Sequence, residues 1–350
     1  TLLTLLTLLS IGLHKRTMSS AGTLHKRLGP IKGANDCVNE IIYSSPTKDA
    51  LDRKRKVTVF FGGDVQDYPE AMQSHRDHGQ YVEWSLTNVS ELLAQKFPTQ
   101  HIIVIKPKRM EIKTFSCYDN FVQSNNIGAP THEPWNNSLI HLRTLITEAL
   151  NAAENCNFEN KESDLIKASI ADNCEQSEQS GKCEVNSCDK DQDVTEESKM
   201  SCDGEVLEYD EVNLIGFSKG CVVLNQLIQE MNTLTRVQAT DSSGLSEVFC
   251  KKISNMYWLD GGHSGGKETW ITNREVLTSL AGRKHIKIYI HVTPYQVQDD
   301  QRPWIRRESK AFFDILRRNG ALVSYKLHFQ EEIPSLYAHF RLLKEFVNDK

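Results

Sequence analysis

Five residues, Gly216-Phe217-Ser218-Lys219-Gly220, limit what this chain can fold into more than any other stretch of it. Before them, Val212-Asn213-Leu214-Ile215 is a short run of the kind that forms a buried strand. After them, Cys221 to Met231 carries apolar residues at helical spacing. A strand that turns into a helix within five residues holds the serine at strained dihedrals and brings strand and helix almost into collision. Glycine fits at the two outer positions because it lacks Cβ. The helix then points its free N–H groups toward the serine, where negative charge would be stabilised. Strand, G-x-S-x-G and helix together form a nucleophile elbow.

The rest of the composition narrows the class. At 350 residues with 39% hydrophobic content, the chain can bury a substantial core. Its net charge of −5 hides an uneven distribution: Glu154 to Glu211 holds 18 acids and 5 lysines, so the remainder is mildly basic. No Lys/Arg cluster with interleaved aromatics stands out, which argues against a nucleic-acid partner. Nine cysteines are present, and Cys156, Cys174, Cys183, Cys188 and Cys202 fall in the acidic middle. Cys183-x4-Cys188 lacks a CxxC partner and a nearby His, so it reads as free thiols rather than as a metal site.

The N-terminus repeats Thr-Leu-Leu three times and lacks an initiating Met, which makes Met18 a candidate start. Its apolar run to Leu13 is too short to span a bilayer and precedes Lys15 and Arg16, the reverse of a signal peptide's order. Thr1 to Asn35 contains no acid, five basic residues and many Ser and Thr. That composition suits a mitochondrial transit segment over 1–35 and a matrix destination, with cytosol and secretion as alternatives.

Beyond it, 36–350 reads as one α/β domain. Strands are predicted at Val57–Phe61, His101–Ile105, Val212–Ile215, Ile253–Leu259, Ile286–Val292 and Leu322–Phe329. Helices are predicted around Ser85–Phe97, Asn136–Ala153, Pro303–Arg318 and Leu336–Val347. The alternation implies a mostly parallel sheet with helices on both faces. Residues 155–207, polar and nearly free of aromatics, read as a disordered acidic insertion that cannot bury enough apolar area to offset chain entropy. Pro107–Pro134 is either a cover over the site or plain loop. Asn88 and Asn136 fit glycosylation sequons but sit at predicted helices.

In such sheets, reactive side chains sit in loops at the carboxyl ends of the strands. Serine hydrolysis needs a nucleophile, a base, an acid to orient the base, and N–H donors for the oxyanion. α/β-Hydrolases supply them in the chain order Ser, Asp/Glu, His. After Ser218, His339 stands just past the last strand, at the opening of the final helix. Asp299 follows the penultimate strand, the usual acid position, and Asp260 ends the strand before that as the alternative, with Asp300 a solvated neighbour. The oxyanion donors are expected to be the backbone N–H of Lys219 and one from Gly62 or Gly63, with the Lys219 side chain pointing to solvent. Gly261-x4-Gly266-Lys267 is one residue short of a P-loop, and Glu268 would repel a phosphate where a Mg²⁺ ligand belongs. It reads instead as a flexible loop bordering the serine, able to bring His263 into the pocket. No cofactor and no metal are called for.

With these residues in view, the chain resembles the animal family named for human chromosome-two open reading frame sixty-nine. The resemblance is carried by Val57-Thr58-Val59-Phe60-Phe61-Gly62-Gly63-Asp64, Ile215 to Cys221, Trp258 to Gly266, His291 to Val297, and His339-Phe340. It covers nearly everything from Val57 to Phe346 except the acidic insertion. It implies a mitochondrial protein with an α/β-hydrolase-like fold and a serine hydrolase site whose substrate is not established. Ser218 and His339 carry over from it; the acid stays open.

The expectation is therefore a mitochondrial serine hydrolase acting on an ester, thioester or amide. The alternative is a catalytically inactive scaffold that uses the acidic insertion to bind a protein partner. Limited proteolysis of the native protein is expected to cut first within 155–207, and resistance there would overturn the single-domain layout.

Overall fold

The computed structural model describes residues 25–48, 54–155, 208–236 and 244–346. Most of the expected transit segment, Met18, and the acidic insertion from residue 156 with its five cysteines lie outside the described residues.

An eight-stranded sheet organises the chain. Its strands are β1 (His25–Lys32), β2 (Val38–Ser44), β3 (Lys56–Phe61), β4 (His101–Ile105), β5 (Glu211–Phe217), β6 (Ile253–Leu259), β7 (Lys287–Val292) and β8 (Leu322–Leu327), in the spatial order β1-β2-β4-β3-β5-β6-β7-β8. β2 pairs antiparallel with both β1 and β4, and the pairs from β4 through β8 are parallel. The six strands expected from sequence are all present within two residues at each end, and β5 shows the largest extension. That strand continues past Ile215 to Phe217, up to the serine itself.

The fold reaches further toward the N-terminus than the expected boundary at residue 36. β1 pairs with β2 from His25↔Ser44 to Lys32↔Val38, and Leu28 is buried. An edge strand has one solvated face, so its polar, basic composition is compatible with a leader as well as with a sheet edge. The register shifts between Leu28 and Ile31, where Gly29-Pro30 interrupts the ladder, as proline does at sheet edges.

Successive residues of a strand face opposite sides, and the two faces have different covers. Val57, Val59, Phe61, Leu214, Met256 and Trp258 face one core. Against them pack the helices at 138–155 and at Cys221–Arg236, Arg274–Gly282 and Pro303–Arg318. Phe60, Ile215, Phe217, Tyr257 and Leu259 face the other, under the helices at Leu86–Lys96 and Leu336–Glu345. Helices on both faces of a parallel sheet follow from short crossovers of one hand. Among the described residues, no helix is long and apolar enough to cross a membrane.

One buried acid joins two of these helices. Glu230, inside the helix that follows the elbow, accepts the N–H groups of Asn136 and Ser138 at 2.9 Å and of Leu139 at 3.0 Å. Those are the orphan donors at the start of the 138–155 helix, and a carboxylate complements the positive end of its dipole. Glu230→Ala would leave three N–H groups, those of Ser138 and Leu139 buried and that of Asn136 half-buried, without acceptors. It is expected to lower the unfolding free energy by about 3 kcal/mol or more in urea denaturation; a loss below about 1 kcal/mol would mean that water replaces the carboxylate.

Candidate active site

Register brings the reactive loops together. Phe61 is paired with Gly216, Phe217 with Leu259, and Leu259 with His291. The residues just past these partners, Gly62, Ser218 and Asp260, therefore sit side by side at the carboxyl edge of the sheet. The Gly262 N–H reaches the Ser218 carbonyl at 3.3 Å.

The elbow is as tight as its glycines suggest. Ser218 has φ 52°, in the left-handed region, and opens a 3-10 turn over Ser218–Gly220 that runs into the Cys221–Arg236 helix. A Cβ on Gly220 would lie 2.0 Å from the Phe61 carbonyl oxygen, and one on Gly216 would lie 2.8 Å from Cys221 Cα. Both contacts are to backbone, so neither can be relieved by a rotamer change.

Asp260 also sits at positive φ, 49°. Its buried carboxylate accepts the Thr293 N–H at 2.7 Å through Oδ1, and the Thr293 hydroxyl at 2.5 Å through Oδ2. The same Oδ2 lies 2.6 Å from His339 Nδ1. His339 is in the first turn of the last helix, with its imidazole 4.5 Å from the Phe217 ring and 4.9 Å from the Tyr295 ring, centroid to centroid. With Nδ1 given to Asp260, Nε2 is the nitrogen left for a substrate or a serine proton. Among the described residues, Ser218 and His339 make no direct hydrogen bond; such contacts commonly tighten only when substrate is bound.

The other acid candidates stand elsewhere. Asp299 Oδ2 accepts from Arg302 Nε at 2.7 Å, and Oδ1 caps the Gln301 N–H. The Arg302 guanidinium holds the Asp299 carboxyl below its ordinary range. Asp300 is exposed. The structure thus brings Asp260 to His339, and it places Asp299 in a separate ion pair. The short helix Pro294–Val297 carries the chain away from the β7 end before Asp299 is reached.

The oxyanion side differs from expectation in two respects. Gly63 packs against the nucleophile so closely that a Cβ there would lie 2.6 Å from Ser218 Cβ, which explains the glycine. Its N–H, however, donates to Gln66 Oε1 at 2.8 Å, and Gln66 Nε2 in turn donates to the Trp84 carbonyl at 2.7 Å. The Lys219 side chain, expected in solvent, is fully buried. Its ammonium pairs with Asp64 Oδ2 at 3.0 Å and donates to the Ile127 carbonyl at 2.5 Å. The partner strap is the Pro107–Pro134 stretch, folded into two small hairpins, Arg109–Glu111 with Phe115–Cys117 and Gln123–Ser124 with Pro130–Thr131.

The glycine-rich loop after Asp260 is pinned rather than loose: Glu308 accepts the N–H groups of Glu268, Thr269 and Trp270. His263 is buried beside that loop, accepting the Gly265 N–H at Nδ1 and meeting the Glu268 carbonyl at Nε2. Both ring nitrogens are thereby occupied, and no contact joins His263 to Ser218 or His339 among the described residues. At the sequons, Asn88 and Asn136 give their amide groups to the Val82 and Phe121 carbonyls. Among the described residues, no group of three His, Cys, Asp or Glu side chains is placed to hold a metal.

The C2orf69 family model matches residues 27–322. The chain belongs to the C2orf69 family. The mouse protein named "Mitochondrial protein C2orf69 homolog" is 40% identical over 308 residues, covering 88% of this chain and 82% of the mouse protein. The human "Mitochondrial protein C2orf69" is 43% identical over 293 residues, covering 82% of this chain and 73% of its own length. Among solved structures, an esterase Est22 bound to p-nitrophenol aligns with TM-score 0.41 and 11% identity over 93% of this chain and 79% of that one, too slight a likeness to bear on function. In this C2orf69 family member the α/β-hydrolase arrangement is seen in its own elements: the mixed sheet order, the elbow after β5, and helices on both faces.

Burial holds His101, His132, His141 and His263 down to about 4, and His291 to about 3. A histidine lowered in the fold is neutral there, while the unfolded chain takes up its protons near 6.5. Their contribution to stability is therefore complete above pH 6.5 and is lost as the pH falls toward 4. Thermal denaturation across this range is expected to show a melting temperature that is level above about pH 7 and declines from about 6.5 downward; a melting temperature that rises on acidification would contradict it.

Proposed function

We propose that the protein is a serine hydrolase cleaving an ester, thioester or amide, with Ser218 as nucleophile, His339 as base and then acid, and Asp260 as the group that orients His339. The observation that carries this reading is the buried Asp260 carboxylate on His339 Nδ1, next in register to a serine held at φ 52°. Asp260 fixes the tautomer so that Nε2 is free to take the Ser218 proton, and it stabilises the imidazolium that results. Ser218 Oγ then attacks the acyl carbon, and the carbonyl electron pair moves onto its oxygen. Collapse expels the alcohol, thiol or amine, which leaves with the proton from His339. Water, deprotonated by the same imidazole, releases the acid and restores Ser218.

The Lys219 N–H lies in the first turn of the helical segment, where backbone donors have no intrahelical acceptor. It serves as one oxyanion donor, and the loop after β3 supplies the other. No cofactor enters this scheme. The relatives' mitochondrial naming and the acid-free N-terminal composition support a mitochondrial location, with the matrix as the proposed compartment.

Labelling with a fluorophosphonate probe tests the assignment. Wild type should take one label, absent in folded Ser218→Ala. Asp260→Asn should slow labelling by on the order of a thousandfold, whereas Asp299→Asn should leave the rate within a few-fold. Folded wild-type protein that takes no label at Ser218 would favour the non-catalytic scaffold, and a severe loss in Asp299→Asn alone would reassign the acid.

A further inference from the structure

We propose that the second oxyanion donor is the backbone N–H of Asp64, and that the Lys219–Asp64 ion pair is a clasp fixing the gap between the two donors; this rests on the serine hydrolase reading. The loop after β3 offers few free N–H groups. That of Gly63 is given to Gln66 Oε1 at 2.8 Å, and that of Val65 to the Thr114 carbonyl at 2.8 Å. Between them, the Asp64 N–H meets no acceptor among the described residues. Its neighbour Gly63 is the residue packed on the nucleophile, where a Cβ would lie 3.1 Å from Ser218 Oγ. Of the three N–H groups from Gly63 to Val65, the uncommitted one among the described residues therefore belongs to the residue next along from the contact with the reacting oxygen.

The side chains of the same two residues are joined. Asp64 Oδ2 is 3.0 Å from Lys219 Nζ, and Asp64 Oδ1 accepts the N–H and hydroxyl of Ser116 at 2.8 and 3.1 Å. Lys219 Nζ also meets the Ile127 carbonyl and lies over the Phe115 ring at 4.9 Å from its centroid. Gly128, at φ 69°, closes the enclosure: a Cβ there would meet the Ser116 carbonyl oxygen at 2.4 Å and Lys219 Cδ at 3.1 Å. With Lys219 fully buried and Asp64 half-buried, the pair contributes little net stability, because the desolvation of the ammonium offsets the attraction. What the pair does accomplish is geometric. Each oxyanion donor belongs to a residue whose own side chain grips the other, so the hole cannot widen without breaking the Lys219–Asp64 charge contact. Both residues are positioning residues through their side chains, and the strap at 109–131 holds the grip in place.

Two measurements test this. The first uses no substrate: a thermal-denaturation double-mutant cycle with Asp64→Asn and Lys219→Met is expected to show coupling, and additive effects would overturn the clasp. The second follows Ser218-dependent labelling by the fluorophosphonate probe over a range of probe concentrations. Each single variant is expected to lose on the order of a hundredfold in the limiting rate with the half-saturating concentration little changed. The double variant should lose no more than either alone, and Lys219→Arg should restore part of the rate. Gln66→Ala separates the two candidate donors, because it frees the Gly63 N–H: faster labelling would make Gly63 the donor and overturn the assignment, and unchanged or slower labelling supports Asp64. Full-rate labelling of folded Asp64→Asn would overturn this inference and leave the hydrolase reading intact. A wild type that takes no label at Ser218 would overturn both, whatever the cycle shows.

Discussion

The near-collision of β5 with the helix that follows it sets the terms for everything at the carboxyl edge of the sheet. With Gly220 pressed against the Phe61 carbonyl and Gly216 against Cys221, the chain has one way to pass from strand to helix, and Ser218 is left at φ 52°. Strain of this kind costs about 1–3 kcal/mol and persists only where the surroundings over-determine it. Here they do, since β5 lies inside the sheet with β3 and β6 on its two sides and fully buried cores above and below. The same contact brings the β3 loop against the serine. Nucleophile, oxyanion loop and helix terminus are thus products of one packing constraint.

Around that constraint, carboxylates that are buried (Asp260, Glu230) or half-buried (Asp64, Glu308) are handled alike. Asp260 accepts from Thr293 twice and meets His339; Asp64 accepts from Ser116 twice and meets Lys219. Glu230 and Glu308 each gather three backbone N–H groups, one at a helix start and one along the glycine-rich loop. An unpaired acid withdrawn from water would carry a desolvation cost, and at least three donors apiece offset it. The result is a set of rigid supports on different elements, which is the condition for catalytic groups to keep their spacing without moving during a reaction.

Much of this was legible in the sequence, for physical reasons that also mark where legibility ended. Buried parallel strands read as continuous apolar runs, so β3, β4, β6 and β7 could be placed closely, and the two glycines of the elbow announced its turn. β1 and β2 could not be placed in the same way. The edge strand β1 is mostly solvated and has a weak apolar signal, the acid-free stretch that contains it matches a transit segment in composition, and β2 has only the short apolar run Ile41–Tyr43 after the polar Asn39 and Glu40. The acid was a matter of register. Asp260 ends the strand paired with β5, while Asp299 comes after an added helical turn and finds Arg302, and neither fact can be read without the pairing. Lys219 was misplaced in solvent because a lysine at a helix start is ordinarily solvated. The signal that would have found its position was Asp64, an acid directly after the Gly-Gly of the oxyanion loop.

The central claim is that Ser218, His339 and Asp260 act as one unit on an acyl group. A crystal structure of the protein after reaction with a small organophosphonate tests it most directly. The account predicts phosphorus bonded to Ser218 Oγ, the phosphonyl oxygen within hydrogen-bond distance of the Lys219 N–H, and His339 Nε2 facing the adduct with Nδ1 still on Asp260. An unmodified Ser218, or an adduct whose oxygen points away from Lys219 with His339 turned from it, would contradict the account.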